Sequence, residues 1–255
     1  MVSTLHSVLL TIYRNSAIRS VIQKLGIDLL LKDLYWWFRW KLDGVDTVTI
    51  RGSTATFESY SVPSNHERPV IEDILAHVGH DDVFFDIGAD RGWYSCLVGG
   101  AIENGCVVAF EPHRSRVAVL KRNLARNGIR AIVQSVALSD SSGWVDFGYH
   151  IKPESSKVET QVRTVPGDEL VRDGSVPTPT VIKIDVEGAE LNVVRGLSET
   201  LKSDSCTLVY CELHDKVRDY GGTQEEVQRE LRNHGFEIER IHTRDDQPFI
   251  RGKKS

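Results

Sequence analysis

The sequence predicts an α/β fold: a doubly wound, mostly parallel sheet with an antiparallel terminal hairpin, preceded by an N-terminal helical extension. Three observations carry this. From Val83 onward, short and wholly apolar segments alternate with amphipathic segments of helical length, the pattern of strands covered on both faces by crossover helices. The first apolar segment runs into a turn, Gly88-Ala89-Asp90-Arg91-Gly92, and then a helical stretch, the order from which right-handed crossover units are built. The chain closes on two β-rich segments, 236–241 and 248–251, around the polar run His242-Thr243-Arg244-Asp245-Asp246, which reads as a hairpin.

In chain order, residues 1 to about 45 carry apolar side chains at three- and four-residue spacing (Val8, Leu9, Ile12, Tyr13, then Ile18, Val21, Ile22, Leu25) and predict helix. The segment 47–51 and the segment 55–60 predict two short strands that turn at Gly52-Ser53. A helix is expected over 66–79, with Pro69 in its first turn and Gly79 ending it. Parallel strands follow at 83–87, 107–110, 131–136, 181–185 and 207–211. Helices are expected at 93–102, 114–127, 189–201 and 224–234. Ser, Gly and Pro interrupt the alternation between 140 and 178, where extra strands are expected near 144–149 and 161–165. The domain boundary falls at 66/67: an extension with a short hairpin, then an α/β domain over 67–255.

Bulk properties exclude several function classes. With 255 residues, 40% hydrophobic and 26% charged, the chain can bury a core without disulfides. A net charge of −5 gives no broad attraction to nucleic acid, which is not expected as a partner. Cys96, Cys106, Cys206 and Cys211 lack C-x-x-C spacing and read as free thiols in a reducing, cytoplasmic setting. No apolar run approaches the roughly 18 residues of a membrane span, and the N-terminus lacks a secretory pattern.

The turn after the first strand is the first chemical signal. A dinucleotide fold would place glycines where a pyrophosphate meets the helix N-terminus. Here the middle position is Asp90, a carboxylate that repels phosphate and suits a cationic ligand carrying an amino group and a sulfonium. That favours S-adenosylmethionine over a nicotinamide dinucleotide. The second strand ends in Glu111, 19 residues after Gly92, the spacing at which an acid accepts ribose hydroxyls.

Five blocks then occur in order: Asp86–Gly92, Phe110–His113, Asn123–Gly128, Ala137–Asp140 and Lys183–Glu190. Together they resemble the FkbM family of methyltransferases over residues 68 to 215. The resemblance implies a Rossmann-like class I methyltransferase with a seven-stranded sheet whose last strand is antiparallel. It also implies S-adenosylmethionine as cofactor and O-methylation of a sugar hydroxyl in a glycan or small molecule. By the same resemblance, Asp86, Gly88, Asp90 and Gly92 contact the methionine and ribose portions, Glu111 the ribose, and Asp140 the neighbourhood of the adenine. Asp140 also suits a plain turn residue. Asp90-Arg91 departs from the family, which more often has Asn and an apolar residue there; Arg91 is expected to moderate the acidity of the loop.

Methyl transfer to a hydroxyl needs an acceptor held in line and a group that removes its proton. Asp185 and Glu187, at the end of the fourth parallel strand, are expected as catalytic carboxylates, on the same side as Lys183 if the strand stays extended. Glu187 and Glu190 equally suit the negatively charged first turn of a helix. His214 is a ready general base, or a histidine simply satisfied at a strand end. Asp185, Glu212 and His214 have ligand types that suit Mg or Mn, but nothing in their spacing demands an ion, and no metal is assigned. The aromatic segment 35–41, with Trp36, Trp37 and Trp40, fits a peripheral membrane contact, a lid over a sugar, or packing against the core or a second copy in a homo-oligomer. The competing function is a non-catalytic cofactor-binding or interaction protein that keeps the fold.

Overall fold

The computed structural model describes residues 44–58, 66–149, 158–244 and 246–254. The expected N-terminal helices and the aromatic segment 35–41 lie outside these residues. Two strands, β1 (Val45–Ile50) and β2 (Ser53–Glu58), form a hairpin of their own. It turns at Arg51-Gly52, both at positive φ, one residue earlier than expected, and is laced by Thr47–Thr56 and Thr49–Thr54 hydroxyl contacts of 3.1 and 3.0 Å. The chain divides into two compact units, of which residues 49–55 and 63–255 form the one that carries the main sheet.

That unit opens with α1 (Arg68–His77), which has Pro69 in its first turn and buries Val70, Ile71 and Ile74. The strands β3 (Val83–Ile87) and β4 (Cys106–Phe110) follow, with α2 (Trp93–Gly99) between them. Next come α3 (Arg114–Arg126) and β5 (Ala131–Gln134). After an insertion described below come β9 (Val181–Ile184), β10 (Leu208–Glu212), α7 (Gln224–Asn233), β11 (Glu237–Arg244) and β12 (Gln247–Lys253). The sheet has seven strands in the order β11-β12-β10-β9-β3-β4-β5. Pairs are parallel from β5 to β10, and β12 runs antiparallel between β10 and β11, as the terminal hairpin predicts.

The central strands are mostly apolar because helices cover both of their faces. All of Val181–Ile184 and Leu208–Glu212 is buried, and Phe85 meets Phe110 edge-on at 5.2 Å. Burying each such aliphatic or aromatic side chain contributes about 1.5–3 kcal/mol. A polar side chain in these strands is therefore tolerated only where it has partners, which singles out Asp86, Lys183 and Glu212.

Two departures from the expected elements have local causes. The helix expected over 189–201 is broken into α5 (Glu190–Gly196) and α6 (Ser198–Lys202). At the break, a Cβ on Gly196 would lie 1.9 Å from the Ser139 carbonyl oxygen, so the helix backbone sits directly on the neighbouring chain. Between β5 and β9 the chain builds a second sheet from β6 (Ala137–Leu138), β7 (Gly143–Tyr149) and β8 (Val158–Val165), followed by a short α4 (Gly167–Arg172). β7 and β8 are the two extra strands foreseen; β6 and α4 were too short to leave a periodic signal.

Candidate active site

The parallel strands end at one edge of the sheet, where a cavity of about 430 Å3 opens, within the usual range for a small-molecule site. Its walls come mainly from the chain at and just beyond the ends of β3, β4, β5 and β9 and from β7 and β8 of the second sheet, with Glu67, Tyr94 and Arg244 among those added from other elements. An open α/β sheet places ligands at this edge.

One end of the cavity is organised around Glu111. The residue is 2% exposed, and both carboxylate oxygens accept backbone N–H groups, from Asp90 at 3.0 Å and His113 at 2.8 Å. A carboxylate has about four lone-pair sites, so acceptor capacity remains toward the cavity that Glu111 lines. Burial pushes its carboxyl up to about 7, against the lowering effect of the His113 N–H and Arg116. The β3–α2 turn is pinned to β4: the Gly88 and Ala89 amides both donate to the Phe110 carbonyl at 3.0 Å. Gly88 has φ +78, and a Cβ there would lie 1.8 Å from the Asp185 carbonyl oxygen. Only glycine allows the first turn and the end of β9 to approach so closely.

Asp90 takes φ +46 and lines the cavity, but its carboxylate is paired with Arg116 of α3 at 3.0 Å. Arg116, from α3, thus supplies a counter-charge to the acidic turn. The buried Asp86 is not part of the cavity wall. Its Oδ2 accepts the Ser95 amide at 3.0 Å and the Ser95 hydroxyl at 2.5 Å, which ties β3 to the first turn of α2, where negative charge is favoured. Gly92 is the residue that enters α2, at φ +86, and also lies outside the wall. Asp140 is exposed and accepts from the Ser139 and Ser141 hydroxyls in a turn; Ser139, not Asp140, lines the cavity.

The other end is a charged cluster. Lys183 is 1% exposed. Its ammonium donates to the Gly88 carbonyl at 3.1 Å, lies 3.3 Å from Asp86 and 3.5 Å from Asp185, and sits 4.8 Å from the centre of the Tyr94 ring. Burial alone would lower its pKa, but the two carboxylates reverse the sign and hold it charged. Asp185 follows β9, lines the cavity and keeps 17% of its side chain exposed. Burial would raise its carboxyl, yet Lys183, His214 and Arg244 hold it below the usual range.

β9 ends at Ile184, and the chain turns at Glu187 (φ +58) and Gly188, so the alternation expected to align Glu187 with Lys183 and Asp185 stops short. Glu187 lines the cavity at its exposed side and is paired with Lys216 at 2.7 Å. His214, beyond β10, is 6% exposed. Its Nδ1 donates to the fully buried Glu190 at 2.7 Å, and its Nε2 faces Asp185 at 3.8 Å. Burial alone would lower its pKa, but the bond to Glu190 and the charges of Asp185, Glu190 and Glu212 raise it. His214 does not line the cavity and so reaches it through Asp185.

Four residues of this cluster had no site signal in the sequence. Glu190, read only as a first-turn acid, is the partner of His214. Glu67 takes the Tyr94 hydroxyl at 2.5 Å and Arg244. Arg244 bridges Glu67 and Glu212, the latter at 2.5 Å. It ends β11 just after a register shift between Arg240 and His242, the kind of bulge that re-aims a strand end.

The family model described as "Methyltransferase FkbM domain" matches residues 86–238, from the end of β3 into β11. The chain belongs to the FkbM methyltransferase family. It is 35% identical over 159 residues to the hexuronic acid methyltransferase AglP of Haloferax volcanii, an alignment covering 59% of this chain and 64% of that relative's length. Among solved structures it is similar to the FkbM methyltransferase of Methylobacillus flagellatus (TM-score 0.57, 17% identity, 76% of this chain and 49% of that one). It is also similar to a precorrin-6y C5,15-methyltransferase of Geobacter metallireducens (TM-score 0.50, 14% identity, 78% and 93%). At these identities the structural likeness speaks for the fold alone. Within the FkbM match lie both ends of the cavity, Glu111 at one and Asp185 and Glu187 at the other, with His214 behind Asp185.

Proposed function

We propose that this chain is an S-adenosylmethionine-dependent O-methyltransferase whose acceptor is a sugar hydroxyl of a glycan or small molecule, and that residues 67–255 carry the activity. The observation that carries the reading is one cavity with a fixed, solvent-shielded carboxylate at one end and a carboxylate–histidine cluster at the other. S-adenosylmethionine, when bound, supplies an electrophilic methyl group on a sulfonium. The residues present fit it: Glu111 has acceptor capacity for ribose hydroxyls, and Asp90 and Gly88 form the wall beside it. Its positive charge is favoured in a cavity that Asp185, Glu187 and Asp90 also line.

The acceptor end then has two tasks. Asp185, partly exposed and held ionised by Lys183 and His214, takes a hydrogen bond from the acceptor hydroxyl and orients its oxygen. During transfer the hydroxyl proton would pass to the Asp185 carboxylate and on to water at the exposed edge where Glu187 lies. Glu190 fixes the orientation of the His214 ring, so that Nε2 stays turned toward Asp185. The likeness to a hexuronic acid methyltransferase supports a sugar acceptor.

Isothermal titration with S-adenosylmethionine, followed by release of S-adenosylhomocysteine in the presence of a mixed glycan pool, tests the reading. Binding with acceptor-dependent turnover is the expected result. Absence of binding at millimolar cofactor would sink the reading, and binding without turnover on any sugar would leave the non-catalytic alternative.

A further inference from the structure

We infer that Asp185, Glu212 and His214 form a binding site for one divalent cation of the magnesium or manganese class behind the cavity wall, which Asp185 alone of the three lines. The binding stands on the geometry below; its role in catalysis rests on the methyl-transfer reading.

The spacing is the first observation. His214 Nε2 lies 3.8 Å from Asp185 Oδ1 and 3.8 Å from Glu212 Oε1, and the three ligand atoms lie within 4.8 Å of one another. Hydrogen-bonded partners would sit near 2.7–3.2 Å. Ligands sharing an ion at about 2.1 Å lie roughly 3.0 Å apart at right angles and roughly 4.2 Å apart when opposed. The observed distances are too long for hydrogen bonds, and sub-ångström side-chain shifts bring the set onto one ion.

The second observation is an orphaned acceptor. Glu212 is 0% exposed, and its Oε1 has no hydrogen-bond partner, while its other oxygen is held by Arg244. A buried acceptor without a partner is uncommon and calls for one. Asp185 repeats the arrangement: Oδ2 faces Lys183 and Oδ1 faces His214. In each carboxylate one oxygen is satisfied by a fixed cation and the other points toward the same small volume.

Third, the histidine is prepared for coordination. Its Nδ1 donates to the buried Glu190, which leaves the Nε2 lone pair aimed at the two free oxygens. A carboxylate behind the ring is the usual support of a metal-bound imidazole. Charge points the same way. The buried or nearly buried carboxylates of Glu67, Asp86, Asp185 and Glu212, none more than 17% exposed, share two fixed cations, Lys183 and Arg244, while Glu190 meets His214. A dication with neutral His214 compensates more of this excess than an imidazolium alone. The ligands sit at the ends of β9 and β10, hydrogen-bonded neighbours in the sheet, Glu212 closing β10 and Asp185 and His214 just beyond the strands, and Asp185 opens the set to the cavity. A hydroxyl on that open side would be made more acidic by the ion, its proton passing to Glu187 at the exposed edge.

The test is a titration of the chelator-treated full chain with MnCl2, with the free-ion electron paramagnetic resonance signal as readout and no methyl donor or acceptor present. One Mn2+ per chain, displaced by Mg2+, is expected. Glu212→Gln and His214→Ala should each weaken binding by at least tenfold, and Glu190→Gln by roughly 10- to 100-fold. Absence of stoichiometric binding by the wild-type chain up to 1 mM (on the order of the weakest specific sites for such ions) overturns the proposal, and so does equal binding by folded variants. Should a variant not fold, the wild-type stoichiometry still decides. S-adenosylmethionine titration of the same sample separates this outcome from failure of the methyltransferase reading.

Discussion

Replacing Glu111 by Gln exchanges one oxygen for an NH2 group and separates the cofactor reading from a purely structural role. In the wild-type chain both carboxylate oxygens accept backbone N–H groups, from Asp90 and His113. An amide has one acceptor oxygen, so its NH2 must face one of those N–H donors, a loss of about 1–3 kcal/mol. Against this stands the cost of burying the charge. Holding the carboxyl ionised above pH 7, when its pKa has moved from 4.5 to about 7, costs roughly 3 kcal/mol. The two terms nearly cancel, and the variant should unfold in urea within about 2 kcal/mol of wild type at pH 8. The ligand has no such compensation. Two ribose hydroxyls bonded to a carboxylate contribute about 1.5–3 kcal/mol each, and the amide keeps one neutral bond of about 1 kcal/mol. The expected net loss of about 2–5 kcal/mol raises Kd for S-adenosylmethionine about 30- to 4,000-fold, read by isothermal titration at pH 8. A folded variant that binds within threefold of wild type refutes the assignment of Glu111.

The same carboxyl sets a pH dependence. Its raised pKa means the folded chain binds that proton more tightly than the unfolded one, so this group's contribution to stability falls as pH rises from about 4.5 to about 7. Ribose hydroxyls need the ionised form, so cofactor affinity should rise about tenfold from pH 6 to pH 8, with proton release seen in buffers of different ionisation enthalpy; constant affinity would contradict it. Asp86→Ala removes the partner of Ser95 and one of the two carboxylates beside the buried Lys183, and should cost about 3–5 kcal/mol in urea unfolding; a loss under 1 kcal/mol would show that Asp86 does not stabilise Lys183. Gly88→Ala forces a Cβ against the Asp185 carbonyl and should abolish cofactor binding by separating the first turn from β9, which a wild-type Kd would disprove. Asp185→Ala should lower turnover at least 100-fold while the cofactor Kd moves far less than in Glu111→Gln, and unchanged turnover would remove its catalytic assignment.

Much of the frame was legible because its signals are local. Apolar runs such as Val83–Ile87 and Val181–Ile184 have only one stable setting, inside a sheet covered on both faces, and the Gly88–Gly92 turn follows the first of them directly. Glu111 was legible for the same reason, as the residue that leaves the next strand. The polar residues beyond the strands were harder, because their roles depend on partners far away in sequence. Asp86 and Glu111 both end apolar strands with an acid. One turns inward to Ser95 and Lys183, and the other lines the cavity.

What the sequence determined by itself is the alternation of strand and helix, the turn at the sheet's edge, the acids that leave each strand and the family blocks. All of these follow from residues close along the chain. Only the tertiary structure decided which acids share a volume. Arg244 meets Glu67 across 177 residues and Glu212 across 32, and His214 meets Glu190 across 24. Such meetings are governed by strand order and by the length of each crossover, not by local propensity. A charge buried by the fold must find its counter-charge wherever the packed chain brings one.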